Sequence, residues 1–298
     1  MTMSEAEIGS FWESHPCGEA RVGGLEGRLR GDYEDFFDRY DEHKYRLEWH
    51  IPRCIAELDV GGKRVLEIGL GQGAESELLI RHGATWTGVD LTQESVDRVR
   101  TRLELRGLPY EQIVQASVLD LPLATADFDL VFSHGVLHHV PEVIVAQRQI
   151  RRVLVEDGEL VVMLYARRSL NYLSIAAVRR IAVALAFPLR RHIRGNLLAD
   201  HLAKAQAIGL LRYLRMCEFI HANTDGPLNP YSKVYDAQEV ALDFPDFEIV
   251  RTHKHFMHAP PLPVHGFSGE RLLGWHLWVH LRPRRDREQE PVSDTSAV

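Results

Sequence analysis

Cysteine is scarce: Cys17, Cys54 and Cys217 are the only three in 298 residues. They are too few and too scattered for a disulfide framework or a cysteine-rich zinc cluster. Such usage is that of a reducing compartment, and the cytoplasm is the expected location. The opening MTMSEAEIGS is acidic and lacks the apolar centre of a secretory signal. No window is expected to reach the ~18 apolar residues of a spanning helix. The most apolar segment, Leu170 to Leu189, is interrupted near its middle by Arg179 and Arg180, so a soluble protein is expected. Internal repeats and Gly/Ser linkers are also missing. With 35 basic and 42 acidic side chains the net charge is −7, which disfavours a general nucleic-acid binder.

What is present is strand–helix alternation. Arg64 to Ile68, Trp86 to Val89, Glu111 to Gln115, Asp129 to Phe132 and Leu160 to Leu164 read as five strands. Helices lie between them: one runs from the glycine turn through Arg81, one starts at Thr92, and one has Pro141 in its first turn. This order predicts a mostly parallel sheet with helices on both faces. Residues 167 to about 235 read as helical without a strand, too long for a simple crossover. Asp236 and Glu239 form a capping box, and Phe247 to Arg251 and Trp275 to Leu281 complete the sheet. The expected organisation is an N-terminal helical lid (1–60), a Rossmann-like core (61–166), a helical insertion (167–235), the rest of the sheet (236–282) and a disordered tail (283–298).

The most informative run is Val65-Leu66-Glu67-Ile68-Gly69-Leu70-Gly71-Gln72-Gly73. A strand ends, glycines let the backbone turn tightly, and a helix N-terminus follows, so a ligand can approach main chain. Gly69, Gly71 and Ala74 also satisfy a G-x-G-x-x-A dinucleotide fingerprint. Glu67, two residues before the first glycine, and the G-x-G-x-G spacing speak against it. Downstream stands Phe128-Asp129-Leu130-Val131-Phe132-Ser133-His134-Gly135-Val136-Leu137-His138-His139, after Leu121-Pro122.

Taken together, these features resemble the class I S-adenosylmethionine-dependent methyltransferases, closely over about 60–166. His15-Pro16-Cys17-Gly18, Met163-Leu164-Tyr165 and Gly274-Trp275-His276 further look like a set of bacterial methyltransferases. The resemblance implies a seven-stranded sheet and S-adenosylmethionine as cofactor, converted to S-adenosylhomocysteine. It implies that Gly69, Gly71 and Gly73 form the cofactor turn and that Glu67 orients it. Asp90 would accept the ribose hydroxyls, Leu91 would cover one adenine face, and His134 belongs to the same cofactor set. Ser117 stands where the family usually has an Asp for the adenine amino group, so Val118 main chain or Asp120 would share that contact.

On the acceptor side, His139 and His138 follow strand four at the carboxyl edge of the sheet, where a neutral-pH base is useful. Their alternative role is packing in the loop. Tyr165, Asn171, Tyr172, Asn229 and Tyr231 are candidate acceptor contacts, with Asn223 and Asp225 in the same turn-rich segment as Asn229. Tyr33, Tyr40 and Tyr45 lie on a helix expected to cover the cofactor. His253, His255, His258 and His265 cluster, but no Cys or acidic residue stands at ligand spacing, so no metal is expected.

Between Leu160 and Ala199 there is no Asp or Glu, but seven arginines: Arg167, Arg168, Arg179, Arg180, Arg190, Arg191 and Arg194. A solvated lid face, an anionic substrate or carrier, and an anionic membrane surface remain open for this basic amphipathic stretch. The expected function is methyl transfer to an O, N or C nucleophile of a small molecule, in secondary metabolism. Alternatives are a lipid or quinone precursor methylated at a membrane surface, a non-catalytic cofactor-binding partner, and a nicotinamide oxidoreductase.

Overall fold

A computed structural model describes residues 4–285 except 26, 28, 196, 261, 263 and 265–267. His265, much of the Pro-rich segment at 259–263 and the tail from 286 therefore lie outside the described residues. Strand β1 (Arg64–Ile68) is buried along all but its first residue, as befits a strand covered on both faces. It sits inside a seven-stranded sheet ordered β3–β2–β1–β4–β5–β7–β6. The other strands are β2 (Thr85–Asp90), β3 (Gln112–Gln115), β4 (Phe128–His134), β5 (Leu154–Tyr165), β6 (Phe247–His255) and β7 (His276–Pro283). Strands β1 to β5 pair in parallel, and β7 runs antiparallel to both β5 and β6. The strand order reverses between β1 and β4, which opens a crevice beyond their carboxyl ends.

Side chains alternate across the sheet with period two. Leu66, Val131 and Val162 pack on one face with Ile150 and Val153 of helix α7. Val65, Phe132 and Trp278 pack on the other with Ile51, Ile55, Val99 and Leu103. The covering helices are α1 (Glu5–Ser14), α2 (Glu19–Val22), α3 (Arg30–Leu47), α4 (His50–Ala56), α5 (Ala74–Arg81), α6 (Gln93–Arg106) and α7 (Val143–Val153). Thr92 caps α6 by accepting from Ser95 N, and Asp236 forms its capping box with Glu239.

Three local expectations differ from the structure. Helix α7 opens at Val143, so Pro141 precedes it; a 3-10 turn over Leu137–His139 occupies the chain just before. Strand β5 starts at Leu154, because a register irregularity between Phe128 and Leu130 absorbs the turn-like residues before Glu159. The third concerns Leu170–Leu189, which is one helix of 20 residues, apolar and long enough to cross a membrane, with mean hydropathy 1.5. The arginines do not break it. Arg179 folds back, donating to Pro260 O, Asn223 O and Asn171 Oδ1 at 2.8–2.9 Å. Between residues 167 and 235 lie helices with their own small core, including Ile175, Val183, Tyr213 and Phe219.

Candidate active site

A cavity opens at the crevice between β1 and β4. Its first wall is the glycine turn with the end of β2. Asp90 Oδ2 accepts from Leu70 N at 2.7 Å, while Oδ1 accepts from Thr92 N and Thr92 Oγ1, each at 2.8 Å. The turn is thereby tied to the end of β2, and the carboxylate retains acceptor capacity for a ligand hydroxyl. Gly69 has φ +81°, and a Cβ there would stand 2.1 Å from Val136 Cγ2. Only glycine satisfies both the backbone and the space.

Beneath the turn, buried Glu67 accepts from Trp86 Nε1 at 2.8 Å. Burial pushes its carboxyl up to about 8, against the hydrogen bond from Ser76. Glu75, on α5, pairs with Lys44 Nζ at 2.5 Å and lies 3.4 Å from His134 Nδ1. Burial would raise Glu75, but the Lys44 ammonium and His134 override it and hold the carboxyl at about 2. Burial in turn takes His134 down to about 4, despite Glu75 beside it. Lys44 is the single lysine or arginine among the described lining residues, facing Glu5, Glu48, Glu67, Glu75, Asp90 and Asp225. The cavity favours a cationic ligand.

The second wall carries His139. Its Nδ1 lies 2.7 Å from Tyr231 O and 3.1 Å from Ser232 Oγ. With Nδ1 donating to the Tyr231 carbonyl, Nε2 holds the lone pair, 3.4 Å from Asp225 Oδ2. Both Nε2 and Asp225 Oδ2 are buried without a hydrogen-bond partner. Tyr165 donates its hydroxyl to Asp225 Oδ1 at 2.9 Å. Burial would raise Asp225, but the adjacent His139 ring and the hydrogen bond from Tyr165 hold it below the usual carboxylate range. Trp12 of α1 meets His139 edge-on, with ring centroids 5.1 Å apart. The N-terminal helices thus cover the wall.

The structure brings Glu67, Gly69, Gly71, Asp90, Leu91, Val118, His134, His139 and Tyr165 to this cavity, and Tyr40 with them. Other candidates lie off its lining. Gly73 caps α5 in the left-handed region. Ser117 bonds Glu5 and accepts from Leu119 N, which turns its hydroxyl toward the lid. His138 is fully buried beside His139, its ring tilted against that of Tyr165 with centroids 3.9 Å apart, and burial drives it well below the usual imidazole range. Asn171 serves Arg179, and Tyr172 packs in the insertion core. Asn229 donates to His221 O, Thr224 Oγ1 and Ser232 Oγ. Tyr231 contributes its carbonyl to His139 while its ring lies 5.1 Å from that of His221. None of the seven insertion arginines lines the cavity.

Lys44, Glu48, Glu75 and Trp12 escaped the sequence analysis. The available signal was the i, i+4, i+8 row Tyr40, Lys44, Glu48, one face of a helix. The histidine cluster also changes. Cys54 of α4 comes to His253 and His255, with donor atoms within 4.8 Å of one another, a cysteine neighbour invisible in local spacing.

A family model described as a methyltransferase domain matches residues 66–162. A fatty-acid O-methyltransferase of Mycolicibacterium smegmatis is 37% identical over 105 residues, 35% of this chain and 37% of that protein. A tRNA U34 carboxymethyltransferase of Pseudomonas putida is 31% identical over 145 residues, 46% of this chain and 43% of that protein. The chain thus matches less than half the length of these curated relatives. The structure of an S-adenosylmethionine-dependent methyltransferase from Aquifex aeolicus covers 86% of this chain and 98% of that one, with TM-score 0.50 and 13% identity, a likeness of fold. The glycine turn, the strand order and the matched domain agree: residues 66–162 carry a methyltransferase domain, and the chain is similar to the class I S-adenosylmethionine-dependent methyltransferases.

Proposed function

We propose that the cavity binds S-adenosylmethionine along its glycine-turn wall and transfers the methyl group to an O, N or C nucleophile of a small molecule or lipid, held against the His139 wall. The acidic lining supports this cofactor over a dinucleotide, because a sulfonium and an ammonium suit carboxylates and a pyrophosphate does not. Asp90 would take the ribose hydroxyls, Leu91 and Val118 would flank the adenine, and Gly69 and Gly71 would admit the methionine part. Glu67 and Glu75 stand near enough to the turn to serve its amino end, with Lys44 fixing Glu75. Bound there, the cofactor supplies an activated methyl on positively charged sulfur.

The observation that carries the catalytic reading is the approach of two buried atoms, His139 Nε2 and Asp225 Oδ2, which face each other at 3.4 Å in the cavity wall. A hydroxyl or ammonium acceptor placed there would give its proton to Nε2, leaving its O or N free to take the methyl as the sulfur–methyl bond breaks and S-adenosylhomocysteine leaves. Asp225 then stabilises the imidazolium, and Tyr165 keeps Asp225 aimed. Trp12 and α1 exclude water from the joint. The fatty-acid O-methyltransferase among the relatives is the support for an apolar acceptor.

His139→Ala should lower S-adenosylhomocysteine formation by roughly 10²-fold or more. The S-adenosylmethionine Kd should stay unchanged, since the glycine-turn wall is intact. Undiminished turnover would remove His139 as the base.

A further inference from the structure

The helix Leu170–Leu189 buries Ile175 and Val183 in the insertion core and leaves its other face bare. Leu173, Val178, Ile181, Leu185 and Leu189 are 54%, 43%, 58%, 74% and 60% exposed. Every exposed residue from Leu173 to Leu189 is apolar. Single exposed leucines need no account, but a stripe running the length of a 20-residue helix marks a docking face.

Charge identifies the occupant. Exposed Arg168 precedes the stripe, exposed Arg191 and Arg194 follow it, and no Asp or Glu occurs from Leu160 to Ala199. The rest of the chain is acidic enough to leave −7 overall, so this cationic rim is local to the apolar face. Orientation follows from Arg179, in the middle of the helix. Its guanidinium is held by Pro260 O, Asn223 O and Asn171 Oδ1, which straps the helix lengthwise against the body of the protein. A helix so strapped presents one side outward and lies along a surface. We infer that this face docks on an anionic lipid bilayer, the leucine and isoleucine stripe entering the acyl boundary and the flanking arginines meeting the headgroups.

The docked face is joined to the cavity. Arg179 holds Asn223 O, two residues before Asp225 in the cavity wall, and the helix follows closely on Tyr165 at the end of β5. An acceptor dissolved in the bilayer would thus meet the protein beside the His139 wall. The docking itself does not depend on the catalytic reading, and its test reads lipid binding alone.

The full chain is sedimented with vesicles of phosphatidylcholine alone and of phosphatidylcholine with an equal part of phosphatidylglycerol. Partitioning should be at least about tenfold stronger on the anionic vesicles and should weaken as salt is raised. The double variant Ile181→Glu/Leu185→Glu, at solvent-facing positions, should lose about tenfold or more of it. Leu242→Glu, at a 67% exposed leucine on the short helix Ala237–Asp243, should bind like the parent. Melting temperature and S-adenosylmethionine binding, unchanged in both variants, exclude misfolding. Absence of vesicle binding, equal binding to neutral vesicles, or equal binding by the double variant overturns the inference. So does a stable dimer that the double variant dissociates without any lipid binding, which makes the face a contact between two copies of the chain.

Discussion

The glycine-turn wall of the cavity comes from neighbouring residues at the ends of β1 and β2, held by backbone bonds such as Leu70 N to Asp90. The opposite wall is assembled from distant pieces: Trp12 of α1, His139 after β4, Tyr165 of β5 and Asp225 from the insertion. The first wall is shaped by main chain. The second is shaped by side chains that have no common local motif.

Separating the walls by mutation tests this contrast. The largest effect is expected from Asp225→Asn, which removes the charge facing Nε2. Turnover should fall by roughly 10²-fold, and calorimetry should show the cofactor Kd unmoved. A parallel loss of cofactor affinity would mean the walls are not separable. Gly69→Ala attacks the other wall: its φ of +81° and the Val136 clash at 2.1 Å should cost roughly 1–3 kcal/mol of stability. It should also weaken S-adenosylmethionine binding, read by denaturant melts and titration.

Acidity probes the seam between the walls. Burial holds His134 at about 4 and His50 at about 2. Unfolded, both take up protons near 6.5, so the unfolded state binds more protons below that pH. Stability is full above 6.5 and should fall as pH drops toward 4, by up to ~1.4 kcal/mol per unit for each group. A melting temperature flat from pH 7 to 5 would contradict this. Glu67, raised to about 8, works in the opposite direction. Its stabilisation is present below 4.5 and lost as pH rises through 8, so Glu67→Gln should flatten the alkaline limb of the same curve.

The smallest effect is expected from Arg179→Ala. It removes three hydrogen bonds that brace the insertion but touches neither wall. A loss of ~1–3 kcal/mol should appear in melts, with the cofactor Kd unchanged.

Much of the first wall was legible because its chemistry is local. Strand β1, the glycine turn and Asp90 stand within one short span, and their spacing carries the geometry. Ser117 shows the limit even there: its hydroxyl is claimed by Glu5 of α1, a partner from far along the chain. The second wall was half legible. The position of His139 followed from the carboxyl end of β4, but its Asp225 partner depends on how the insertion folds back. Asn229 and Asn171 looked like ligand contacts, since turn-forming amides and binding amides have the same composition. Asn171 Oδ1 is claimed by Arg179, and the Asn229 amide nitrogen donates to His221 O, Thr224 Oγ1 and Ser232 Oγ. The helix at Leu170–Leu189 was expected, but not its apolar length: arginines end an apolar run in a sequence, yet a guanidinium with three carbonyl partners fits beside one in a fold.

The division of the cavity into a cofactor wall and a proton-accepting wall is tested most directly by one paired measurement on His139→Ala. S-adenosylmethionine affinity and S-adenosylhomocysteine formation are measured on the same sample. The account predicts parent-like affinity with formation reduced by roughly 10²-fold. Parent-like formation, or affinity lost together with turnover, would contradict it.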